Sequence, residues 1–420
     1  MNFVLLPLLF IDMKQFNVPI AYRSPLITAI KLYRKQGDKL KKDFTPTLLD
    51  LGNVHIYLAR HFGFCYGVEN AIEIAFSTIE QNPGKRIFLL SEMIHNPQVN
   101  ADLMSMGVQF MQDTYGKQII SFDEIRADDI VIIPAFGTTI EIEALLQSKG
   151  IATAKYNTTC PFVEKVWNRS EQIAEKGYSI VIHGKPKHEE TRATFSHASE
   201  HTASVVVNDM AETIELAKFI TGENKAADFY TAFKGRYSAG FDIEKDLIRF
   251  GVVNQTTQLA TDTQAISDYL KSVMINQYQL TSATIDQHFA DTRDTLCYAT
   301  NDNQTAVTGM LATDADLAIV IGGYNSSNTS HLVELCEAKL PTYFIDTPEK
   351  IINETTIQHC NWHSKELSII HDFLPQKHPT KILITSGASC PDAVVESVIQ
   401  RIALLFGTKE NLEKVAENFQ

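Results

Sequence analysis

Three cysteines stand where a helix is about to begin. Cys65 lies in HFGFCYGVENAI, Cys160 in NTTCPFVEKVW and Cys297 in DTLCYATNDNQTAV. An apolar pattern of helical period follows each, and Pro161 suits a first helical position. Each thiol therefore falls at a helix start, where Ser, Thr, Asp or Asn is the usual cap. The positive end of a helix dipole favours thiolate over thiol. Thiolates ligate metals and hold iron–sulfur clusters. No C-x-x-C pair occurs, which disfavours a zinc ribbon or finger, so the three thiols would have to converge in space. Cys390, in GASCPDAVVESV, has the same setting before Pro391 and competes for the role. Cys336 falls on an apolar helical face and reads as core. Cys360, beside His359 and His363, reads as structural or superficial. A buried, inert thiol is the plain alternative for any one of them.

Polar motifs follow other strand-like runs. The loop NSSNTS (325–330) comes after a strand and a Gly-Gly turn. Its Ser326, Ser327 and Asn328 offer hydroxyls, an amide and backbone N–H groups to an oxyanion. Ser389 in GAS (387–389) has the same opportunity. His95 and His188 also end strands, at positions that suit anion binding. Glu190, in HEE (188–190), is a carboxyl near a histidine and an apolar cluster, where a raised pKa would make it a proton donor. Its plain alternative is first-turn helix charge. Thr256 and Thr257 in NQTTQ read either as a proton relay or as helix caps.

These motifs need elements to carry them. From residue 54 onward, strand-like runs (VHIYLA, RIFLLS, DIVIIP, SIVIHG, FGVVN, LAIVIG, KILITSG) alternate with amphipathic helical stretches. That is the signature of an α/β protein with mostly parallel sheets. A loose order occurs three times: a cysteine opening a helix, then two strands each ending in a polar motif. It predicts three related α/β units, at 54–160, 161–296 and 297–405, facing one centre. An N-terminal arm (1–53) and a tail (406–420) flank them. Ligands in such sheets bind beyond the carboxyl ends of the strands. The middle unit carries an extra aromatic stretch at 222–241.

Composition sets limits. The chain has 420 residues, and its formal charge is 37 − 50 = −13, which does not suggest nucleic-acid binding. Widely spaced cysteines in a long chain fit a reduced, cytoplasmic protein. The N-terminal run MNFVLLPLLF lacks a basic region and a cleavage site, so it does not read as a signal peptide, and Met13 is an alternative start. No run reaches the length of a membrane span. The arm holds Lys31, Arg34, Lys35, Lys39, Lys41 and Lys42, which form either a solvated helix face or a docking patch for an acidic partner.

Taken together and in order, GFCYGVENAI, HNPQVN, TTCPFVEKV, HGKPKHEET, NQTT, CYAT, NSSNTSHL and GASCPD resemble one family, 4-hydroxy-3-methylbut-2-enyl diphosphate reductase of the methylerythritol phosphate route to isoprenoids. The resemblance runs from about residue 54 to 405. It implies a trefoil of three α/β domains around a 4Fe-4S cluster held by Cys65, Cys160 and Cys297, and it sets Cys390 aside. It implies Glu190 as the proton-delivering glutamate and Thr256 as the threonine near the substrate hydroxyl. His95, His188, Ser326, Ser327, Asn328 and Ser389 become the diphosphate and substrate pocket. One departure stands out: many bacterial relatives have a second histidine in an AHG motif, where this chain has AFG with Phe136. The plant and cyanobacterial branch is similar to it there. Thr138, Lys185 and Lys187 are candidates to compensate.

The implied reaction is a two-electron reductive dehydroxylation giving isopentenyl and dimethylallyl diphosphate. No G-x-G-x-x-G follows a strand, so no NAD(P)H site is evident. Reduced ferredoxin or flavodoxin is the donor the resemblance implies. A non-redox iron–sulfur hydro-lyase would also use three thiolates and an open iron, and it stays as the rival reading.

Overall fold

The computed structural model describes residues 16–290 and 295–419. The apolar run before Met13, and Met13 itself, lie outside the described residues. Each strand-like run quoted above forms a strand, and the strands assort into three principal sheets. A five-stranded sheet has the order Thr47–Asp50, Val54–Leu58, Thr380–Ser386, Leu317–Ile321, Thr342–Ile345. Its first pair is antiparallel and the rest are parallel. A four-stranded parallel sheet runs Ser204–Val207, Ser179–His183, Phe250–Asn254, Phe289–Ala290. A three-stranded parallel sheet runs Gln109–Phe110, Ile87–Leu89, Ile130–Ile132. The central strands LAIVI, SIVIH and FGVVN are buried at every position, because helices cover both faces of a parallel sheet.

The strand at the expected unit boundary, residue 54, pairs across the chain. Val54–Leu58 pairs in parallel with Thr380–Ser386, so this strand belongs to the sheet of the third unit. The helix Tyr66–Gln81 packs on the three-stranded sheet, its Val68, Ala71 and Ile72 against Ile87, Leu89 and Ile132. Val54–Leu58 has one buried and one half-buried face, an alternation that reads the same whichever sheet the strand joins, so periodicity could not reveal this pairing.

The arm is likewise part of the fold from residue 16 on. Ser24 caps the helix Pro25–Gly37, its hydroxyl accepting the Ile27 N–H at 2.8 Å, with Pro25 in the first position. Leu26, Ile27 and Ile30 are buried in the core of the third unit. Lys31 Nζ lies 2.8 Å from the Asp392 carboxylate at the start of the helix Asp392–Leu405. Phe16, Val18 and Tyr22 meanwhile join the core of the first unit, and the Tyr22 hydroxyl donates to Asp102 at 2.5 Å. The stretch at 222–241 folds over the second sheet, where Phe229 stacks on Phe233 and Phe241 at 5.1 and 5.3 Å. Two strands not foreseen, Thr356–Cys360 and Leu367–His371, form a separate hairpin.

Ile27 is fully buried, so Ile27→Ala should lower the unfolding free energy by about 2–5 kcal/mol in urea titration. A change below about 0.5 kcal/mol, the size expected of surface substitutions, would mean that the arm is only loosely applied.

Candidate functional site

The carboxyl ends of the three sheets meet at one pocket. From the five-stranded sheet come Cys65 after Val54–Leu58, Ser389 after Thr380–Ser386, and Ser326, Ser327 and Asn328 after Leu317–Ile321. The four-stranded sheet sends His188 and Glu190 from its second strand and Thr256 from its third, and Cys297 follows its fourth. The three-stranded sheet contributes His95, Phe136 and the approach to Cys160. Every site residue read from the sequence therefore lines this one pocket. Cys390 does not: it is 1% exposed and packed in the core of the third unit with Cys336 and Cys360.

All three pocket cysteines precede helices, Tyr66–Gln81, Pro161–Ala174 and Tyr298–Met310, with extended backbone. The Cys297 sulfur accepts the Thr300 N–H at 3.3 Å and lies 3.1 Å from the Thr300 hydroxyl. The expected preference for thiolate does not hold in the protein alone. Burial pushes all three thiols up, Cys160 to about 12. For Cys65 and Cys160 neighbouring cysteines add to the rise, and the backbone N–H groups of the helix starts oppose it without prevailing. Loss of hydration outweighs a half-charge of helix dipole. Thiolates here need a cationic partner.

Three thiols sharing one pocket are a donor set that an iron–sulfur cluster can take. Among the described residues no three His, Cys, Asp or Glu side chains stand close enough together for one metal ion, yet the charges of Cys65, Cys160 and Cys297 still act on one another. Gly67 fits the same reading, because a Cβ there would collide with the Cys160 sulfur. Only glycine lets the first turn of one cysteine's helix lie against the thiol of another.

The proton-bearing group is equally well defined. Glu190 is 1% exposed, and its Oε1 accepts the Thr256 N–H at 2.5 Å. Burial raises its pKa to about 7, against the lowering effect of the Thr256 N–H and hydroxyl. Thr256 also accepts the Cys297 N–H through its carbonyl at 3.3 Å, which ties the carboxyl to the third thiol. The next helix, Ala260–Tyr278, is preceded by Leu259, so Thr256 does not cap it. Glu189 is raised to about 7 as well, by burial, but only Glu190 faces the pocket.

At the opposite end, Ser326 caps the helix Ser327–Glu337, its hydroxyl accepting the Thr329 N–H at 3.2 Å. Asn328 Oδ1 accepts the Ala388 N–H at 3.0 Å, joining the two Ser-bearing loops. Ser389 donates to the His95 carbonyl at 3.1 Å, and Gly323 leaves no room for a Cβ against the same oxygen. His95 and His188 face each other, Nε2 to Nε2, at 3.3 Å. Burial and the neighbouring His95 hold His188 well below the ordinary imidazole range. Phe136 stacks on the His95 ring at 4.3 Å, so it fixes that ring where a second histidine would have offered a donor. Of the three compensation candidates, Lys185 has its Nζ 3.3 Å from the Ser327 hydroxyl, Lys187 is exposed, and Thr138 is buried. Burial, and then Lys365, lower Lys185 to about 8.

The sequence profile of the LytB protein family matches residues 56–403. The chain belongs to the LytB family. Two curated relatives, each named 4-hydroxy-3-methylbut-2-enyl diphosphate reductase, illustrate the similarity. The protein from Synechococcus sp. (strain RCC307) is 40% identical over 386 residues, spanning 92% of this chain and 89% of its own. The protein from Prochlorococcus marinus (strain NATL1A) is 38% identical over 401 residues, spanning 95% and 92%. The solved E-1-hydroxy-2-methyl-but-2-enyl-4-diphosphate reductase from Plasmodium falciparum shares the trefoil fold at 21% identity, with a TM-score of 0.59 over 83% of this chain and 87% of its own. Residues of this LytB chain missed from sequence are Thr300 and Gly67. Thr300 had a signal, since the third residue of a helix is within reach of its cap. Gly67 had none, because its contact is to a cysteine far along the chain.

Glu190 gives a test by linkage. Its pKa of about 7 in the folded protein lies above the ordinary 4.5, so its contribution to stability is full below about 4.5 and is lost as the pH rises through 7. The full loss corresponds to about 3 kcal/mol. Metal-free Glu190→Gln should therefore gain stability over the parent at pH 8.5 but not at pH 5, read by urea titration at both. An equal difference at the two pH values would show that the carboxyl is not raised.

Proposed function

We propose that this protein is an iron–sulfur reductase converting (E)-4-hydroxy-3-methylbut-2-enyl diphosphate to isopentenyl and dimethylallyl diphosphate. The observation that carries the reading is the shared pocket: three thiols, a buried carboxyl and a Ser-rich helix start lie within it. The name shared by the relatives agrees. Cys65, Cys160 and Cys297 would hold the cluster. When bound, a 4Fe-4S cluster on three thiolates keeps one iron free of protein ligands and supplies Lewis acidity and one-electron steps.

The protein's own groups do the rest. The diphosphate binds at the start of the helix Ser327–Glu337, where Ser326 and Ser327 present hydroxyls, Asn328 an amide, and the first helical turn the backbone N–H groups of Ser327 and Asn328. His95, His188 and Ser389 close that end, with Lys185 as a charge behind Ser327. Held there, the alcohol end of the substrate points toward the cysteines, and remote binding energy orients the reacting carbon. Glu190, substantially protonated near neutral pH, delivers a proton, and Thr256 steers it through the hydrogen bonds they share. The stoichiometry is one C–O bond broken, one C–H bond formed, two protons and two electrons taken up, and one water released. Either end of the allylic unit accepts the new C–H bond, which accounts for two products. The electrons come from a reduced ferredoxin or flavodoxin. Six free thiols suit a reducing compartment such as the cytoplasm, and no described helix is long and apolar enough to cross a membrane.

Two substitution pairs test this. After anaerobic reconstitution, Cys160→Ser should lose the bound iron and sulfide while Cys390→Ala keeps them; equal loss in both would refute the ligand assignment. Glu190→Gln should still bind the allylic diphosphate but turn over at least about 100-fold more slowly. Undiminished turnover would remove Glu190 from the mechanism.

A further inference from the structure

Cys65 has a second face. Besides the pocket, it lines a groove of about 280 Å3 that is also bordered by Lys31, Lys35, Lys41, Arg60 and His61. Arg60 is only 7% exposed, yet its Nε and Nη2 have no hydrogen-bond partner. The carboxylate of Asp38 stands off at 3.9 Å. At this depth Arg60 adds positive potential to the groove rather than a contact that a partner's side chain could reach. Lys31 is engaged with Asp392 and lies over the Phe62 ring, whereas Lys35 and Lys41, at the exposed rim, form no ion pair among the described residues. Asp302 is the one acidic side chain among the groove's described lining residues. This is a cationic face on a chain of formal charge −13.

The place matters as much as the charge. Cys65 borders both the groove and the pocket. Tyr298, next to Cys297, also lines the groove, and its hydroxyl accepts the Tyr66 N–H at 3.1 Å. A charge carrier seated here would be separated from the pocket by Cys65 itself. We propose that this groove is the docking face of an acidic one-electron carrier protein, with surface carboxylates of the carrier pairing with the rim Lys35 and Lys41 and electrons crossing at Cys65. This rests on the reductase reading. Each docking event passes one electron, the carrier being oxidised as the protein is reduced, and two events supply one turnover. The exposed rim lysines favour a protein over a free anion, because rim charges steer encounter between macromolecules.

The test uses the full chain, reconstituted anaerobically, and an acidic plant-type 2Fe–2S ferredoxin as probe. Lys35→Glu combined with Lys41→Glu should weaken ferredoxin binding at low salt by at least about tenfold in titration calorimetry, and flatten its salt dependence. Turnover driven by dithionite should stay within about twofold of the parent, since a small reductant needs no docking face. Unchanged ferredoxin affinity and salt dependence in the variant would overturn the proposal. So would inorganic phosphate that binds the parent groove without competing with ferredoxin, which would mark a small-anion site. A parent that does not turn over with dithionite would count against the reductase reading itself, while the calorimetric titration still decides whether the groove binds the carrier.

Discussion

Three sulfur atoms removed from water in one pocket are the constraint on which this structure turns. Left to themselves the buried thiols resist becoming thiolates. Helix starts supply backbone N–H groups that favour ionisation, but they do not overcome desolvation. Ionised, the thiols call for a cationic group, and they come from three places in the chain, 160 − 65 = 95 and 297 − 160 = 137 residues apart. The fold therefore has to be finished before the site exists.

The strands were legible for a simple reason. Runs such as LAIVIG and SIVIHG are continuous apolar strands, and each ends in a polar motif at the place where α/β sheets bind ligands. The convergence of Cys65, Cys160 and Cys297 was only one possibility on residue types alone; the family resemblance separated them from Cys390, and burial in the core agrees. What could not be read were facts about partners far apart in the chain. Val54–Leu58 joins Thr380–Ser386, and the arm helix packs on Asp392–Leu405. The preference for thiolate failed because it weighed the dipole and not the depth of burial, which no local pattern gives.

The site separates its tasks by environment. Glu190 sits in a dry place that keeps a proton on it near neutral pH, while the Ser326–Asn328 turn offers donors that favour negative charge. One group of residues thus suits an anion and another keeps a proton near neutral pH, and the thiols share their pocket. Phe136 alters this scheme without breaking it. By stacking on His95 it trades a donor for a fixed ring position, and Lys185 behind Ser327 brings positive charge to the same end.

The central claim is that the chemistry is a reduction, and counting electrons tests it most directly. Under anaerobic conditions, the reconstituted protein is given the allylic alcohol diphosphate and a measured amount of reductant, and the products are quantified. The expected result is two electrons consumed for each molecule of isopentenyl or dimethylallyl diphosphate formed, with no product when reductant is withheld. Loss of water from the substrate without net electron uptake would contradict the account and assign the same pocket to a hydro-lyase.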